Sequence, residues 1–256
     1  MGSIQKKVIT SILQYSTVDI RFLKANLTQL SKFSSEIIIP ICTHFFNGQL
    51  EDTGKLEESY GIIKSFPTAK IILFEWEDIG KAPRYYHNLS RKIGTNAASN
   101  EWLLFVDTDE ILSDEFIPWF ESIKDTGSSY WFTCYWYFRE AVNQATHLEG
   151  AGLLTKRSMC TWDLDSQQER QQLFDKLPNF INGDHTRIIS ATGKPLMHHY
   201  SWVRTKEEML GKVRSWGHAS DKDWEALIEE EFSRNFNGTD FVHGYQYINV
   251  NNIFNL

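Results

Sequence analysis

Three carboxylates follow an apolar run near the middle of the chain. The stretch is Trp-Leu-Leu-Phe-Val at residues 102–106, and Asp107, Thr108, Asp109 and Glu110 come directly after it. Consecutive apolar residues with β-branched and aromatic members are typical of a strand buried on both faces. In an extended segment Asp107 and Asp109 point to the same side, so both can reach one cation or its water molecules. Oxygen ligands of this kind favour Mg²⁺ or Mn²⁺.

The same residues have a second interpretation, a polar turn that caps the next helix with Ser113 or Asp114 as the N-cap. A D-x-D pair arises often by chance, so its spacing alone does not decide between the two. Crowded carboxylates repel one another. Removing the charge of Asp109 is therefore expected to leave the stability of the protein unchanged or slightly raised.

A helix is predicted at residues 83–99, just before the acidic strand. Its apolar face recurs at spacings of three and four: Tyr86, Leu89, Ile93 and Ala97. A basic stripe lies beside that face at spacings i, i+3 and i+7: Arg84, His87 and Arg91. The stripe is expected near the end of the acidic strand, where it can contact the same ligand. A solvated basic surface is the alternative.

Residues 90–110 read Ser-Arg-Lys-Ile-Gly-Thr-Asn-Ala-Ala-Ser-Asn-Glu-Trp-Leu-Leu-Phe-Val-Asp-Thr-Asp-Glu. This segment resembles the central signature of family 2 glycosyltransferases of the GT-A fold. In that signature a helical Arg and Gly, here Arg91 and Gly94, precede small residues and a hydrophobic strand that ends in D-x-D. The resemblance implies that Asp107 and Asp109 bind a metal ion, Mn²⁺ or Mg²⁺, and the diphosphate of a nucleotide sugar. It also implies that Arg91 contacts the nucleotide.

Length and composition fit one α/β domain of 256 residues. The formal net charge of −7 disfavours nonspecific binding to nucleic acid. No apolar run is long enough for a transmembrane segment, and no signal-peptide hydrophobic region is visible, so a soluble chain is expected. Cysteines occur only at positions 42, 134 and 160, which favours a reducing compartment over a disulfide framework or a zinc site.

Strand and helix patterns alternate along the first half of the chain. Strands are predicted at residues 7–13, 36–42 and 69–74, and helices at residues 18–30 and 55–65. This alternation indicates β-α-β units and a mostly parallel, Rossmann-like sheet flanked by helices. Nucleotides bind across the carboxyl ends of such strands. Tyr15, Ser16, Thr43 and His44 are expected at those ends, and the residues predicted to bind the nucleotide sugar are Tyr15, Thr43, Arg84, Arg91 and Asp107.

One segment departs from the family pattern. Family members commonly carry an acidic residue just after the second strand, where it helps to bind the base, but residues 40–48 here are Pro-Ile-Cys-Thr-His-Phe-Phe-Asn-Gly. The identity of the base therefore stays open. The next acidic residues, Glu51 and Asp52, are expected to be solvated surface in a loop.

The second half of the chain is rich in aromatic residues. Residues 130–138 form a nearly unbroken aromatic strand, for which core packing is the default interpretation and stacking against an acceptor sugar the alternative. By the family resemblance, the segment that starts at Gly150 lies beneath the acceptor. The resemblance also makes His198 or His199 a further metal ligand. Only one of them can face the metal, because neighbours on a strand point to opposite faces.

A general base is needed if the sugar is inverted by direct displacement, as the resemblance implies. Asp184 and Glu149 are the predicted catalytic residues, with Asp163 and Asp165 as weaker candidates. Two C-terminal helices are predicted from capping patterns at Thr205 and at residues 220–223. These helices carry the basic residues Lys206, Lys212, Arg214 and His218. The residues could cover the site, but a solvated face is the preferred interpretation.

Together these features predict a single GT-A domain over residues 1–256. Residues 1–112 form the nucleotide-sugar half, and residues 113–256 form the acceptor half with C-terminal helices. The predicted function is metal-dependent transfer of a sugar from a UDP- or GDP-sugar to a hydroxyl of a glycan, lipid or protein. A nucleotidyltransferase and an inactive carbohydrate-binding protein are the alternatives. A cytoplasmic location is expected, with peripheral attachment to a membrane as a variant.

Overall fold

The computed structural model describes residues 8–76, 80–123, 129–166, 180–181, 188–215 and 221–256. Its strands are β1 (Ile9–Gln14), β2 (Ser34–Cys42), β3 (Ala69–Phe74), β4 (Trp102–Asp107), β5 (Glu110–Leu112), β6 (Ser129–Phe138), β7 (Glu140–Lys156), β8 (Phe180–Ile181), β9 (Met197–Trp202) and β10 (Tyr247–Asn249). Its α-helices are α1 (Ile20–Leu30), α2 (Thr53–Lys64), α3 (Pro83–Ala97), α4 (Phe116–Ser122), α5 (Lys206–Ser215) and α6 (Trp224–Phe232).

All the main strands belong to one sheet, in the order β3-β2-β1-β4-β7-β6-β9-β5. The first four are parallel, with β1 between β2 and β4. This is the strand order of a Rossmann-like half-sheet, whose carboxyl ends form a binding edge. Beyond β4 the sheet becomes mixed, because β7 runs antiparallel to both β4 and β6. The predicted fold class is confirmed: a Rossmann-like α/β sheet flanked by helices and followed by C-terminal helices.

Most element boundaries follow the predicted patterns, with local corrections. The strand over residues 102–106 is buried and extends by one residue to Asp107. Helix α2 begins earlier than predicted because Asp52 is its N-cap, with a side chain that accepts from the Lys55 amide at 3.0 Å. The interpretation of residues 107–110 as a helix-capping turn is wrong. Strand β5 begins at Glu110, and α4 begins later with no side-chain cap from Ser113 or Asp114.

The capping box of α5 is confirmed. The Thr205 amide donates to Glu208 Oε2 at 2.8 Å, and the Glu208 amide donates to Thr205 Oγ1 at 3.3 Å. Such reciprocal bonds fix where a helix starts. In α6, Asp223 is the N-cap and accepts from the Ala226 amide. These two caps set the position of the helices that close one side of the sheet's binding edge.

Gly94 explains how α3 lies so close to the sheet. A Cβ atom at this position would come within 2.5 Å of the Ile12 side chain on β1. Only glycine therefore allows this helix to approach the buried strand at this point. The close approach brings the basic stripe of α3 to the end of β4, where Arg91 contacts Asp107.

No helix in the described parts of the chain is both long and apolar enough to cross a bilayer.

Candidate functional site

A cavity of about 580 Å³ opens at the carboxyl ends of β1 to β4. One wall comes from those strand ends and α3, and includes Gln14, Tyr15, Ser16, Cys42, His44, Phe46, Glu51, Phe74, Trp76, Arg84, His87, Arg91 and Asp107. The opposite wall comes from the mixed part of the sheet and the C-terminal region, and includes Trp131, Trp136, Gly150, His199, Ser201, Trp202, Lys212, Asp221, Lys222, Trp224 and His243. The predicted binding edge is thus a real concave site.

A buried asparagine shapes the acidic turn between β4 and β5. Asn26 of α1 donates to the carbonyls of Thr108 and Glu110, each at 2.9 Å. The Thr108 hydroxyl donates to the Gln14 carbonyl at 2.6 Å, which fastens the turn to β1. The segment is therefore a turn rather than the extended strand that was predicted. The expected placement of the carboxylates still holds. Asp107 and Asp109 both line the cavity, and Thr108 between them is buried.

Asp107 meets the basic stripe of α3. Arg91 Nη2 lies 3.2 Å from Asp107 Oδ1, and the Arg91 side chain is almost fully buried while Asp107 is 33% exposed. Arg84 and His87 line the same wall, so the basic stripe faces the cavity as predicted. The Asp107 amide donates to Glu110 Oε2 at 2.8 Å, which directs that carboxylate back to the backbone. Only part of the acidic cluster is thus exposed to a ligand.

Asp109 is surrounded by cationic side chains. Lys212 Nζ of α5 donates to Asp109 Oδ2 at 3.1 Å, and Arg204 Nη2 approaches the same oxygen at 3.5 Å. His199 Nε2 of β9 lies 3.6 Å from Asp109 Oδ1. Burial alone would raise the pKa of the Asp109 carboxyl, but Lys212, His199 and Arg204 outweigh burial and hold that pKa well below its usual range. Asp109 is therefore an anion neutralised from within the protein.

Arg204 and Lys212 differ in their access to the cavity. The Arg204 side chain is fully buried, where it pairs with Asp19 and lies over the Phe22 ring. Lys212 is largely buried too, but its side chain forms part of the cavity wall. Lys212 Nζ also donates to the Ser201 hydroxyl at 2.8 Å and to the Ser201 carbonyl at 3.1 Å. The ammonium group is thus fixed in place at the edge of the binding space.

The two histidines of β9 point to opposite faces, as the strand period requires. His199 faces Asp109, whereas His198 Nδ1 lies 2.8 Å from the Tyr137 hydroxyl in the core. Burial lowers the pKa of His198 to about 4, so it is neutral. Burial would also lower the pKa of His199, but the Asp109 carboxylate outweighs burial and raises it. Of the pair, only His199 lines the cavity in the described structure.

The donor set around Asp109 does not fit a divalent metal ion. Mg²⁺ and Mn²⁺ take oxygen ligands at short range, but the oxygens of Asp109 face the nitrogen atoms of Lys212, Arg204 and His199. Within the described residues, the potential metal ligands that come together are Cys42, His44 and Glu75, whose ligand atoms lie within 4.8 Å of one another. Sulfur and nitrogen donors suit Zn²⁺ better than Mg²⁺. Burial raises the pKa of the Cys42 thiol to about 11, which disfavours the thiolate that a metal needs.

An acidic residue is present beside the end of β2, but it comes from the next strand. Glu75 follows β3, and its carboxylate accepts from Thr43 Oγ1 at 2.7 Å and lies 3.0 Å from His44 Nδ1. The hydrogen bond from Thr43 is the largest cause of a lowered pKa at Glu75, so this group is a carboxylate. Because its side chain is 59% exposed, Glu75 can also accept from a ligand. Thr43 bonds to Glu75 and is absent from the described cavity wall, which its neighbours Cys42 and His44 line.

Glu51 is buried, and its prediction as solvated surface is wrong. Its carboxylate accepts from the Ser16 hydroxyl at 2.7 Å and from the Thr17 amide at 3.1 Å, and it also accepts from the Thr17 hydroxyl. Tyr15 is buried next to it, with a hydroxyl that bonds to Ser59 on α2. This network fixes the β1–α1 connection below the cavity. Tyr15 thus lines the cavity while its hydroxyl is bonded to Ser59.

Aromatic rings line both walls. On the nucleotide side, the Phe46 ring stacks on Tyr86 at 5.5 Å and lies 5.8 Å from Trp76. On the opposite side, the Trp131 indole packs closely against Gly150, where an added Cβ atom would come within 2.4 Å of the ring. Trp136 packs edge-on against His199 at 4.8 Å. Most rings of β6 are core, as the default interpretation predicts: Tyr130, Phe132, Trp136, Tyr137 and Phe138 are buried. Trp131 and Trp136 line the cavity, and stacking of an acceptor sugar on them stays a prediction.

The predicted catalytic carboxylates that the structure describes do not line the cavity. Glu149 accepts from the Tyr245 hydroxyl and is absent from the described cavity wall, although its neighbour Gly150 is part of it. Asp163 and Asp165 are exposed and likewise lie outside the described wall. Asp184 lies outside the described residues. On the tryptophan-rich wall the described carboxylate is Asp221, which precedes α6.

Several site residues gave little signal in the sequence. Lys212 was predicted to belong to a solvated face, yet it contacts Asp109 across 103 positions of sequence. Asn26 and Glu75 were not predicted at all. A polar residue on the apolar face of α1 was the available signal for Asn26, because such a residue needs buried partners. For Glu75, the signal was its place directly after a parallel strand.

No protein-family model matches the chain, and no curated protein matches it. Similar solved structures include residues 1–349 of TarS from S. aureus, 12% identical over 89% of this chain and 73% of that one, with a TM-score of 0.44. They also include GlyE of Streptococcus pneumoniae, described as a glycosyltransferase, at 13% identity, 89% and 64% coverage and a TM-score of 0.42. A putative glucose-1-phosphate thymidylyltransferase from Bacillus anthracis is 10% identical, with 90% and 98% coverage and a TM-score of 0.48. Similarity at this level assigns no activity.

Proposed function

We propose that the protein is a GT-A-type glycosyltransferase that moves a sugar from a nucleoside diphosphate to an acceptor hydroxyl. The observation that carries the proposal is one cavity with two chemically different walls. The wall formed by the parallel strand ends and α3 carries Arg84, His87 and Arg91, and the opposite wall is rich in tryptophan and also carries Lys212 and Lys222. Cationic side chains suit a charged diphosphate, and tryptophan rings suit the apolar faces of a sugar.

The nucleotide fits the wall at the parallel strand ends. Arg91 and Arg84 can donate to phosphate oxygens, and Arg91 is already oriented by Asp107 at 3.2 Å. The rings of Phe46 and Trp76 provide a surface for a base, next to the exposed carboxylate of Glu75. A carboxylate can accept from the imide N–H of uracil or from the N–H groups of guanine. A UDP- or GDP-sugar is therefore the donor we expect.

The acceptor fits the opposite wall. Trp131, Trp136, Trp202 and Trp224 line it; the last three are buried, and the half-buried Trp131 beside Gly150 is the ring most open to an acceptor. Indole rings stack well on the apolar faces of sugars, so a glycan, or a lipid or protein that carries one, is the expected acceptor. Asp221 on the same wall is our candidate among the described residues for the general base. Asp184 and Glu149 stay predictions for that role.

In direct displacement at the anomeric carbon, the protein positions the two substrates, accepts a proton and stabilises the charge of the leaving group. The acceptor oxygen attacks the anomeric carbon, its proton passes to the carboxylate base, and the bond from that carbon to the diphosphate breaks with inversion. The leaving diphosphate takes the electron pair, so positive groups are needed where its charge grows. Arg91 and Lys212 are placed on the cavity wall to supply positive charge there.

Nucleotidyl transfer is the less favoured candidate. Such an enzyme grips a triphosphate with a glycine-rich loop after its first strand. The corresponding turn here is Tyr15-Ser16-Thr17, which has no glycine, and the hydroxyls of Ser16 and Thr17 both donate to Glu51. Release of pyrophosphate from a nucleoside triphosphate and a sugar phosphate would instead support that candidate.

The first experiment is hydrolysis of a panel of UDP- and GDP-sugars, together with calorimetric binding of UDP and GDP. Arg91→Ala should weaken binding of the accepted nucleotide by about 1–3 kcal/mol, the scale of a charge-assisted hydrogen bond. Arg91→Lys should rescue part of this loss, because an ammonium lacks the planar fork of arginine. The matched control is Arg234→Ala, which removes an exposed surface arginine paired with Glu230. No nucleotide binding by the wild type, or equal binding by the Arg91 and Arg234 variants, would refute the proposal.

A further inference from the structure

The D-x-D turn is already neutralised by side chains of the protein itself. Arg91 pairs with Asp107 at 3.2 Å, and Lys212 and Arg204 pair with Asp109 at 3.1 and 3.5 Å. A divalent cation at Asp109 would lie next to two permanent positive charges. The cation would also have to displace Lys212 Nζ, which lies 3.1 Å from Asp109 Oδ2. The position that the family resemblance gives to a metal ion is thus taken by an ammonium group.

We propose that Lys212, and not a divalent metal, supplies the positive charge for the diphosphate of the donor. The inference rests on the proposed function, because it assigns a role at the same site. Lys212 belongs to α5, and its ammonium is held by Asp109 and by both the hydroxyl and the carbonyl of Ser201. Ser201 lines the cavity beside it. Since the Ser201 oxygen accepts from Lys212, its own hydroxyl proton can be donated to a phosphate oxygen.

Asp109 acts in this arrangement as a positioning residue. It fixes the lysine at the cavity wall, while Arg204 behind it stays fully buried and bonded to Asp19. An anchored charge that lines the cavity needs no large reorganisation when negative charge develops on the leaving group. Capping of α5 by Thr205 and Glu208 sets the start of the helix that presents Lys212. The D-x-D residues thus orient cations rather than bind one from solution.

The decisive test uses the wild-type chain. UDP and GDP are titrated by calorimetry in excess EDTA and again with Mn²⁺ in place of EDTA. We expect the accepted nucleotide to bind in EDTA with an affinity within about threefold of that in Mn²⁺, and hydrolysis of its sugar to continue in EDTA. Binding that requires Mn²⁺ would overturn this inference and leave the proposed function supported. Absence of binding in both conditions would overturn both.

Variants of Lys212 separate a role at the diphosphate from a structural role. Lys212→Met should weaken binding of the diphosphate, UDP or GDP, by about tenfold or more. Binding of the matching monophosphate, UMP or GMP, should change by less than about threefold, because it lacks the second phosphate. Lys212→Arg should retain most of the diphosphate affinity. The matched control is Lys206→Met on the same helix, where the lysine pairs with surface Glu229 and lies outside the described cavity wall.

The pattern of losses decides the assignment. A similar loss for monophosphate and diphosphate would indicate that Lys212 only supports the fold of the site, and would overturn its role. Equal affinities of the Lys206 and Lys212 variants for the diphosphate would overturn it as well. If Lys212→Met does not fold, the EDTA titration of the wild type and the Lys212→Arg variant still test the inference.

Discussion

Two buried carboxylates lie at opposite ends of the same parallel strands, and they are stabilised in different ways. Glu36 lies near the start of β2 and accepts from Thr10, from the amide and hydroxyl of Ser99, and from Lys70. Most of its partners are neutral donors, and its one cation, Lys70, is 66% exposed. Asp109 lies beyond the end of β4, and its partners are the side chains of Lys212, Arg204 and His199.

The difference separates a structural site from a functional one. Neutral donors satisfy Glu36 and leave little charge to interact with a ligand. At Asp109 the cations outnumber the carboxylate, and Lys212 and His199 line a cavity. Perturbed titratable groups collected in a cleft are typical of functional sites, whereas a single hydrogen-bonded carboxylate at the other end of a sheet is typical of a structural one.

The largest effect is expected when Asp109 is removed. Asp109→Ala leaves Lys212 and Arg204 without the carboxylate that they share. Removal of one partner of a buried ion pair lowers the free energy of unfolding by about 3–5 kcal/mol. This reverses the expectation from the sequence, in which loss of charge from crowded carboxylates would be neutral or stabilising. Urea unfolding of the purified variant measures the loss.

The control for this prediction is Asp107→Ala. Asp107 pairs with Arg91 and is 33% exposed, so water can replace part of the lost contact, and its removal should lower the free energy of unfolding by less than removal of Asp109 does. Similar losses in the two variants would contradict the ranking. A gain of stability in the Asp109 variant would restore the view that the carboxylates repel one another.

A smaller effect is expected at the opposite end of the sheet. Glu36→Gln replaces a carboxylate that accepts from Thr10 and Ser99 and should cost about 1–3 kcal/mol. Burial would raise the pKa of Glu36, but hydrogen bonds from Lys70, Ser99 and Thr10 outweigh it and lower that pKa to about 2. Because the folded protein binds this proton less readily, the stabilisation is complete above the ordinary value of 4.5 and is lost towards pH 2.

Urea unfolding of wild type and Glu36→Gln at several pH values tests this prediction. The difference between the two proteins should be constant near neutral pH and shrink below pH 4.5. Binding of UDP or GDP should be unchanged, because Glu36 lies at the end of β2 away from the cavity. Loss of nucleotide binding in a folded Glu36→Gln protein would show that the two ends of the sheet are not independent.

Local patterns in the sequence predicted the parallel half of the fold well. The strands and helices up to β4, the basic stripe of α3 and the capping box of α5 depend on neighbours in sequence, so their periodicity was visible. The opposite faces of His198 and His199 followed from the strand period in the same way. The family resemblance located Asp107, Asp109 and Arg91, which line the cavity together.

Partners from distant parts of the chain could not be predicted. Lys212 reaches Asp109, and Glu75 reaches Thr43, only because helices and strands pack in three dimensions. Nothing in the local pattern of α5 distinguishes Lys212 from Lys206, which stays on the surface. The polar loop around Glu51 predicts an exposed side chain. In the structure Glu51 is buried, and Ser16 and Thr17 donate hydrogen bonds to its carboxylate.

The last expected effect is a pH dependence with opposite signs at His198 and His199. The pKa of His199 is raised by Asp109 in spite of burial, so the folded protein holds this proton more tightly than the unfolded chain. Its contribution to stability is complete below about pH 6.5 and is lost as pH rises through the raised pKa. Burial lowers the pKa of His198 to about 4, so its effect is opposite: stability is lost as pH falls from 6.5 towards 4.

Thermal or urea unfolding from pH 4 to pH 9 should therefore give wild type a stability maximum near pH 6.5, with slopes of up to about 1.4 kcal/mol per pH unit for each histidine. His199→Gln should flatten the decline above pH 6.5 and leave the acid side unchanged. His198→Gln should flatten the acid side alone, and each variant is the control for the other. If both variants changed the same side of the profile, the contact with Asp109 would not be what raises the pKa of His199. The placement of His199 beside Asp109 would then be wrong.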